Sequence, residues 1–335
     1  APVEGYTNFL WMAFLALAHT LHLDAAFVAL LLSALAGAAV LIGLLLLMEI
    51  LLPGEENRNL RLLSTIFTLA LAAGFAPFAF WVSTGMETMF FTALLLFAVV
   101  ASMRFPPTRK GAITLALLWA ACALTRPEGI FLGLTAFGFL IACAIRNEGL
   151  HSSLLRRAAV SLSIFTALIA AHLFWRRLTY GQWLPLTYYA KISGIDPLFL
   201  AHHGAAYVLA FVSAFLLVPL VIAAGIALVF PKTGSFMRER FLIAGIILLT
   251  TAHVIRSGGD FMAMFRFLVP IWPLLVSLAA AGIAGAAGLL HRLPPFRRIR
   301  GPESLAIPLF MVCGLPVLIS SWHFENASLA SERPQ

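Results

Sequence analysis

The chain has 335 residues, of which 61% are hydrophobic and 11% charged, with a formal net charge of +8 and a mean hydropathy of +0.98. That balance excludes a soluble globular domain, and the apolar runs are too long and too unalternating for the strands of a β-barrel. The Lys and Arg residues are scattered through short loops rather than gathered in a patch, which excludes a nucleic-acid surface and fits membrane topology.

The fold class expected is all-α: a polytopic membrane bundle of about ten spans plus one interfacial helix, in a single transmembrane domain. Residues 1–7 are polar and read as the end of a loop, which points to the downstream part of a longer protein. The apolar run 8–21 has 14 residues. At about 1.5 Å per residue it is too short for a hydrocarbon core of about 30 Å. It reads as an interfacial helix with Trp11 at the boundary, so 1–25 forms an outer loop and that helix.

Ten spans are expected at 26–52, 62–81, 87–103, 111–125, 129–146, 158–175, 205–230, 241–256, 266–290 and 304–321, followed by an outer tail, 322–335. The region 111–146 could also be one hairpin dipping around a polar tip; two full spans are preferred. Cys122, Cys143 and Cys313 lie inside apolar runs without metal or disulfide spacing and read as small core residues.

The loops 53–61, 104–110, 146–157, 231–240 and 291–303 hold most of the 22 Lys and Arg residues, so that side is read as cytoplasmic. Glu4, Glu87, Arg126, Glu128, Lys191, Asp260 and Arg266 then all fall on the opposite face. Orientation was set by basic residues alone, so this convergence is independent support for an extracytoplasmic site at the membrane boundary.

Each motif on that face has a chemical and a plain structural reading. Gly258-Gly-Asp-Phe-Met262 with Arg266 combines charge and irregular backbone, tolerated at membrane depth only where it lines a cavity or is buried in protein. Asp260 could serve as a base on an acceptor hydroxyl or bind a metal, or it could pair with Arg256 or Arg266. In Thr125-Arg-Pro-Glu-Gly129, Arg126 suits a lipid phosphate and Glu128 a hydroxyl; the alternative is a tight turn with a headgroup-facing ion pair. In Ser83-Thr-Gly-Met-Glu-Thr88, Glu87 could bind a ligand or complement a helix dipole, with Ser83 or Thr84 as the cap. Tyr180, Trp183, Tyr188 and Tyr189 form either an interfacial belt or a sugar-stacking surface, with Lys191 near a phosphate. His202-His203 lacks a third ligand at fixed spacing and is not read as a metal site. The triplet Asn326-Ala-Ser328 matches a glycosylation sequon and carries little weight.

Five stretches occur in an order that resembles bacterial glycosyltransferases of the GT-C class, nearest the terminal arabinofuranosyltransferase-like branch. They are Val3-Glu-Gly-Tyr-Thr-Asn-Phe-Leu-Trp11, Ser83-Thr-Gly-Met-Glu87, Thr125-Arg-Pro-Glu-Gly129, Leu184-Pro-Leu-Thr-Tyr-Tyr-Ala-Lys191, and Gly258-Gly-Asp-Phe-Met262 with Arg266-Phe-Leu-Val-Pro270. The resemblance covers nearly the whole chain. It implies a GT-C-like helical bundle in a bacterial plasma membrane that moves a sugar from a polyprenyl-phosphate donor to an extracytoplasmic glycan or lipid acceptor. It also implies that Arg126, Lys191 and Arg266 hold the donor phosphate. Glu4, Tyr6, Glu128, Tyr188 and Tyr189 would contact substrate, and Asp260 and Glu87 are the catalytic candidates. No metal ligands are assigned, and a divalent cation is left open. Family members place a first span and an acidic outer loop, the usual source of the base, ahead of the stretch matching residues 3–11. Here that base is expected upstream of Ala1. The rival expectation is a non-enzymatic lipid or solute transporter, or an inactive scaffold.

Overall fold

A computed structural model describes residues 4–52, 58–104, 108–150, 152–192, 194–229 and 237–331; the side chains of 190–192 and 325–331 lie outside the description. Among the described residues the protein is all-helical, without strands. In chain order the helices are α1 (Phe9–Thr20), α2 (Ala25–Leu51), α3 (Arg58–Ala73), α4 (Ala76–Val82), α5 (Glu87–Met103), α6 (Arg109–Thr125) and α7 (Glu128–Glu148). They continue with α8 (Ser153–Tyr180), α9 (Leu186–Ile192), α10 (Pro197–Ala214), α11 (Val218–Val229), α12 (Met237–Arg256), α13 (Trp272–Leu290) and α14 (Pro302–Ser331).

Among the described residues six helices are long and apolar enough to cross a membrane: α2, α7, α8, α10, α13 with the 3-10 turn before it, and α14. This is the composition of an integral membrane protein, and the outward faces agree. On α2, Leu31, Leu35, Ile42 and Leu45 are exposed, as suits a surface in contact with lipid. The short α1 occupies the run read as an interfacial helix, and Trp11 on it is buried against Phe90, with ring centroids 5.6 Å apart. Asp24 then starts α2 by accepting from the backbone N–H groups of Ala26 at 2.8 Å and Phe27 at 3.1 Å, a cap that contributes about 1 kcal/mol.

Two of the ten expected spans are broken. The span 62–81 is α3 plus α4, bent by 63°, because Pro77 falls at the start of α4 and cannot continue a helix from upstream. Counted as one, the pair would make a seventh candidate span. The span 205–230 is α10 plus α11. Here Pro219 removes a backbone donor, and Leu216 takes a left-handed φ of 52° while Leu217 N–H reaches back to the Val212 carbonyl at 2.9 Å. Two boundaries also move. The span expected from 266 becomes helical only at Val269, and α14 runs to Ser331, so the described part of the expected tail is helix.

The bundle is organised around α13, which is buried for 83% of its membrane window and packs against α2, α3, α11, α12 and α14. Its run of Ala and Gly permits this, since small side chains let helix backbones come close. At Gly282 a Cβ would lie 1.8 Å from the Ala223 carbonyl oxygen of α11. The helix ends therefore meet in two groups. At one end Glu49 of α2 pairs with Arg104 of α5, and Arg240 of α12 donates to the Ala227 carbonyl of α11 at 2.9 Å. The other end gathers the start of α5, the α6–α7 turn, the end of α8 and the loop between α12 and α13.

Candidate functional site

The α6–α7 turn is set by Arg126-Pro127. Arg126 is extended, with φ −147° and ψ 137°, as the residue before a proline prefers. Gly129 is fixed by space: a Cβ there would lie 2.5 Å from the Ala123 nitrogen, so α7 begins directly against the end of α6. This turn folds Arg126 Nε onto Glu128 Oε1 at 2.6 Å. Both residues are buried, so the pair does not face headgroups, as a plain surface turn would require. The Arg126 guanidinium lies over the Phe91 ring at 5.4 Å and over the Phe267 ring at 4.8 Å, and its Nη1 is buried without a partner. An arginine offers five N–H donors, so the ion pair leaves capacity for a ligand.

The loop 257–268 supplies the second pair. Gly258 and Gly259 have φ of 80° and 78°, and Met264 and Phe265 also sit in the left-handed region at 57° and 49°. The last two cost about 1–2 kcal/mol each; Trp81 holds the strained turn by donating its Nε1–H to the Met264 carbonyl at 3.0 Å. Between these bends Asp260 turns inward. Its side chain is fully buried, and its Oδ2 accepts from Arg266 Nε at 2.8 Å. Asp260 therefore pairs with Arg266 rather than Arg256, and its Oδ1 has no partner. Arg266 lies over Phe267 at 5.1 Å. One ring thus carries two guanidiniums, each already balanced by a carboxylate.

A third group joins residues 4–8 to α8 and α5. Glu4 Oε1 accepts from Arg176 Nε at 3.0 Å, and both residues are buried. The Tyr6 and Tyr180 hydroxyls meet at 3.2 Å, and Asn8 Nδ2 donates to Glu87 Oε2 at 3.2 Å. Burial and the Tyr180 hydrogen bond push the Tyr6 pKa up to about 12, so Tyr6 keeps its proton at neutral pH. Glu87 occupies the first turn of α5, one turn above Phe91 on the same face. Through Phe91, which Arg126 overlies, the Asn8–Glu87 hydrogen bond adjoins the two ion pairs, and residues 4–8 connect it along the chain to Glu4 and Arg176.

Six of the expected residues, Glu87, Arg126, Glu128, Asp260, Arg266 and Glu4, stand in this array, with Tyr6 beside them. Tyr188 and Tyr189 contact each other's rings at 5.7 Å, and none of the ion pairs, hydrogen bonds or ring contacts that build the array involves them. Lys191 lies on α9, with its side chain outside the described residues, as are the side chains of the Asn326 sequon. The expected caps at Ser83 and Thr84 are corrected. Their hydroxyls donate back to the Phe80 carbonyl at 2.8 Å and the Trp81 carbonyl at 3.2 Å, and α5 starts without a side-chain cap. Among the described residues no three His, Cys, Asp or Glu side chains group as metal ligands.

Sequence reasoning missed Asn8, Arg176 and Phe267 as site residues, and Tyr207 on α10. Tyr207 is a lone polar atom in an apolar run, and that was its only signal. Chemically, the array offers an unpartnered guanidinium nitrogen, an unpartnered carboxylate oxygen and aromatic faces in a largely desolvated setting. There, electrostatic contacts are stronger than in water. A scan against models of known protein families and a search of curated proteins both return no match to this chain.

Proposed function

We propose that this chain is the membrane body of a GT-C-like glycosyltransferase, moving a sugar from a polyprenyl-phosphate donor to an extracytoplasmic glycan or lipid acceptor. The observation that carries the reading is the pair of guanidiniums, Arg126 and Arg266, set over the single Phe267 ring. Guanidinium geometry suits a phosphate leaving group. Asp260 stands beside Arg266 with one oxygen uncommitted, as a base toward an acceptor hydroxyl or a partner for its proton needs. In this reading phosphate draws Arg266 off Asp260 and frees the carboxylate for the acceptor hydroxyl. Glu87 and Glu128 then orient substrate, and Glu4 and Tyr6 form a wall of the site.

The transporter reading has one observation in its favour. Two expected spans are discontinuous, at α3–α4 and at α10–α11, and broken helices are frequent at transport sites. The charged array sits at one end of the bundle rather than at its middle, which favours one-sided chemistry. The test is to reconstitute the protein in vesicles with a radiolabelled polyprenyl-phosphate sugar and a panel of glycan and lipid acceptors. Labelled glycosidic product supports transfer. Net movement of label without such product overturns it in favour of transport.

A further inference from the structure

Tyr207 is drawn into the array by space and by charge. Its ring covers the backbone of Gly259, where a Cβ would lie 2.8 Å from the Tyr207 Cγ. It also packs on the Phe265 ring at 5.3 Å. That fixes α10 against the residue adjoining Asp260. The Tyr207 hydroxyl is acted on by the charge of Asp260, by the Phe267 backbone N–H and by the charges of Arg266 and Arg126.

Two polar atoms of this neighbourhood, Asp260 Oδ1 and Arg126 Nη1, are buried without a hydrogen-bond partner, and the Tyr207 hydroxyl, whose oxygen lies by the Phe267 backbone N–H, keeps its own proton to donate. A buried donor or acceptor left unpaired is costly, so such atoms are normally satisfied by protein, water or ligand. Here the set is complementary. It has an O–H and a guanidinium N–H to donate, and a carboxylate oxygen that only accepts. An anion placed against the free Asp260 oxygen would be repelled, so the donor phosphate of the transfer reading is left to Arg266 and the remaining N–H groups of Arg126. A cation would meet Arg126 and Arg266. A neutral hydroxyl, which both donates and accepts, fits all three. The surroundings are aromatic, with Phe265 and Phe267 adjoining, and the loop reaches the surface at Phe261, which is 86% exposed.

We propose that Tyr207, Asp260 and Arg126 form a hydroxyl-binding subsite for the sugar-like acceptor, with the substrate hydroxyl donating to Asp260 Oδ1 and accepting from Tyr207 and Arg126. The role as acceptor site rests on the transfer reading; the binding of a neutral hydroxylated ring does not.

The test is saturation-transfer NMR on the purified full chain, with methyl glycosides of a pentose and a hexose as probes and without donor. The wild type is expected to bind at least one probe. Tyr207→Phe, which keeps the ring that packs on Gly259, is expected to weaken that binding about tenfold. Removing the recognised hydroxyl from the probe is expected to weaken the wild type equally and Tyr207→Phe no further, since a site built for a hydroxyl rejects its deoxy analogue. Absence of any wild-type signal, or equal binding by both proteins, overturns the subsite and leaves only water at these atoms. If Tyr207→Phe does not fold, the deoxy probes on the wild type decide: unchanged binding overturns the subsite. Glycoside binding that obeys these rules in a protein without transfer activity overturns the transfer reading and keeps the subsite.

Discussion

Arg126→Ala removes a buried cation of the array, and its cost can be worked from the geometry. The variant breaks the 2.6 Å ion pair and leaves Glu128, whose side chain is 10% exposed, as a buried carboxylate without its partner. Breaking a buried pair from one side costs about 3–5 kcal/mol. The two ring contacts at 5.4 and 4.8 Å add about 1 kcal/mol each when desolvated. The expected loss for Arg126→Ala is therefore about 5–7 kcal/mol. Replacing both partners, as in Arg126→Met with Glu128→Leu, removes the stranded charge and is expected to fall within about 2 kcal/mol of wild type. Arg126→Lys keeps the charge but loses the planar fork and the stacking, and should fall between. Unfolding in mixed micelles followed by tryptophan fluorescence measures all of these, and a double-mutant cycle gives the coupling. If Arg126→Ala costs less than about 1 kcal/mol, the pair is solvated and the account of a desolvated array fails.

Three further outcomes are expected. Gly129→Ala should destabilise by at least about 1–3 kcal/mol, because its Cβ would meet only backbone atoms of α6. In the same helix Gly138→Ala, with nothing within 4 Å, should be neutral or stabilising by about 1 kcal/mol; equal effects in the same unfolding assay would refute the close approach of α6 and α7. Tyr6, with its pKa raised to about 12, should titrate well above a free tyrosine by ultraviolet absorbance. Because the folded pKa lies above the unfolded value of about 10, its contribution to stability is complete below pH about 10 and is lost as pH rises toward 12. A titration at the ordinary tyrosine value would show that the Tyr6–Tyr180 contact is not formed. Asn8→Ala removes the donor to Glu87 and should raise the KM for the donor lipid while leaving folding intact; an unchanged KM would take Glu87 out of the substrate path.

Much of the architecture was legible because apolar runs and short basic loops report membrane helices directly. The charged residues of one face were legible for the same reason, since charge at a membrane boundary stands out against 61% apolar residues. What was not legible was partnership. That Asp260 chooses Arg266 over Arg256 depends on the two left-handed bends flanking it, which no residue type at Met264 or Phe265 announces. Arg176 and Glu4 are 172 positions apart and meet only because α8 ends beside the first described residues. Tyr207 and Phe267 read as ordinary aromatic residues in apolar stretches, and their roles come from what packs on each face. The helix breaks carried a signal in Pro77 and Pro219 that overall hydropathy hid.

The central claim is that the array around Asp260 and Arg266 performs sugar transfer. The most direct measurement is the initial rate of glycosidic product formation from a polyprenyl-phosphate sugar, in the wild-type protein and in Asp260→Ala and Arg266→Ala. The account predicts product from the wild type, none above background from Asp260→Ala, and a steep loss of kcat/KM for the donor in Arg266→Ala, with all three proteins folded. Transfer by Asp260→Ala at the wild-type rate would contradict it.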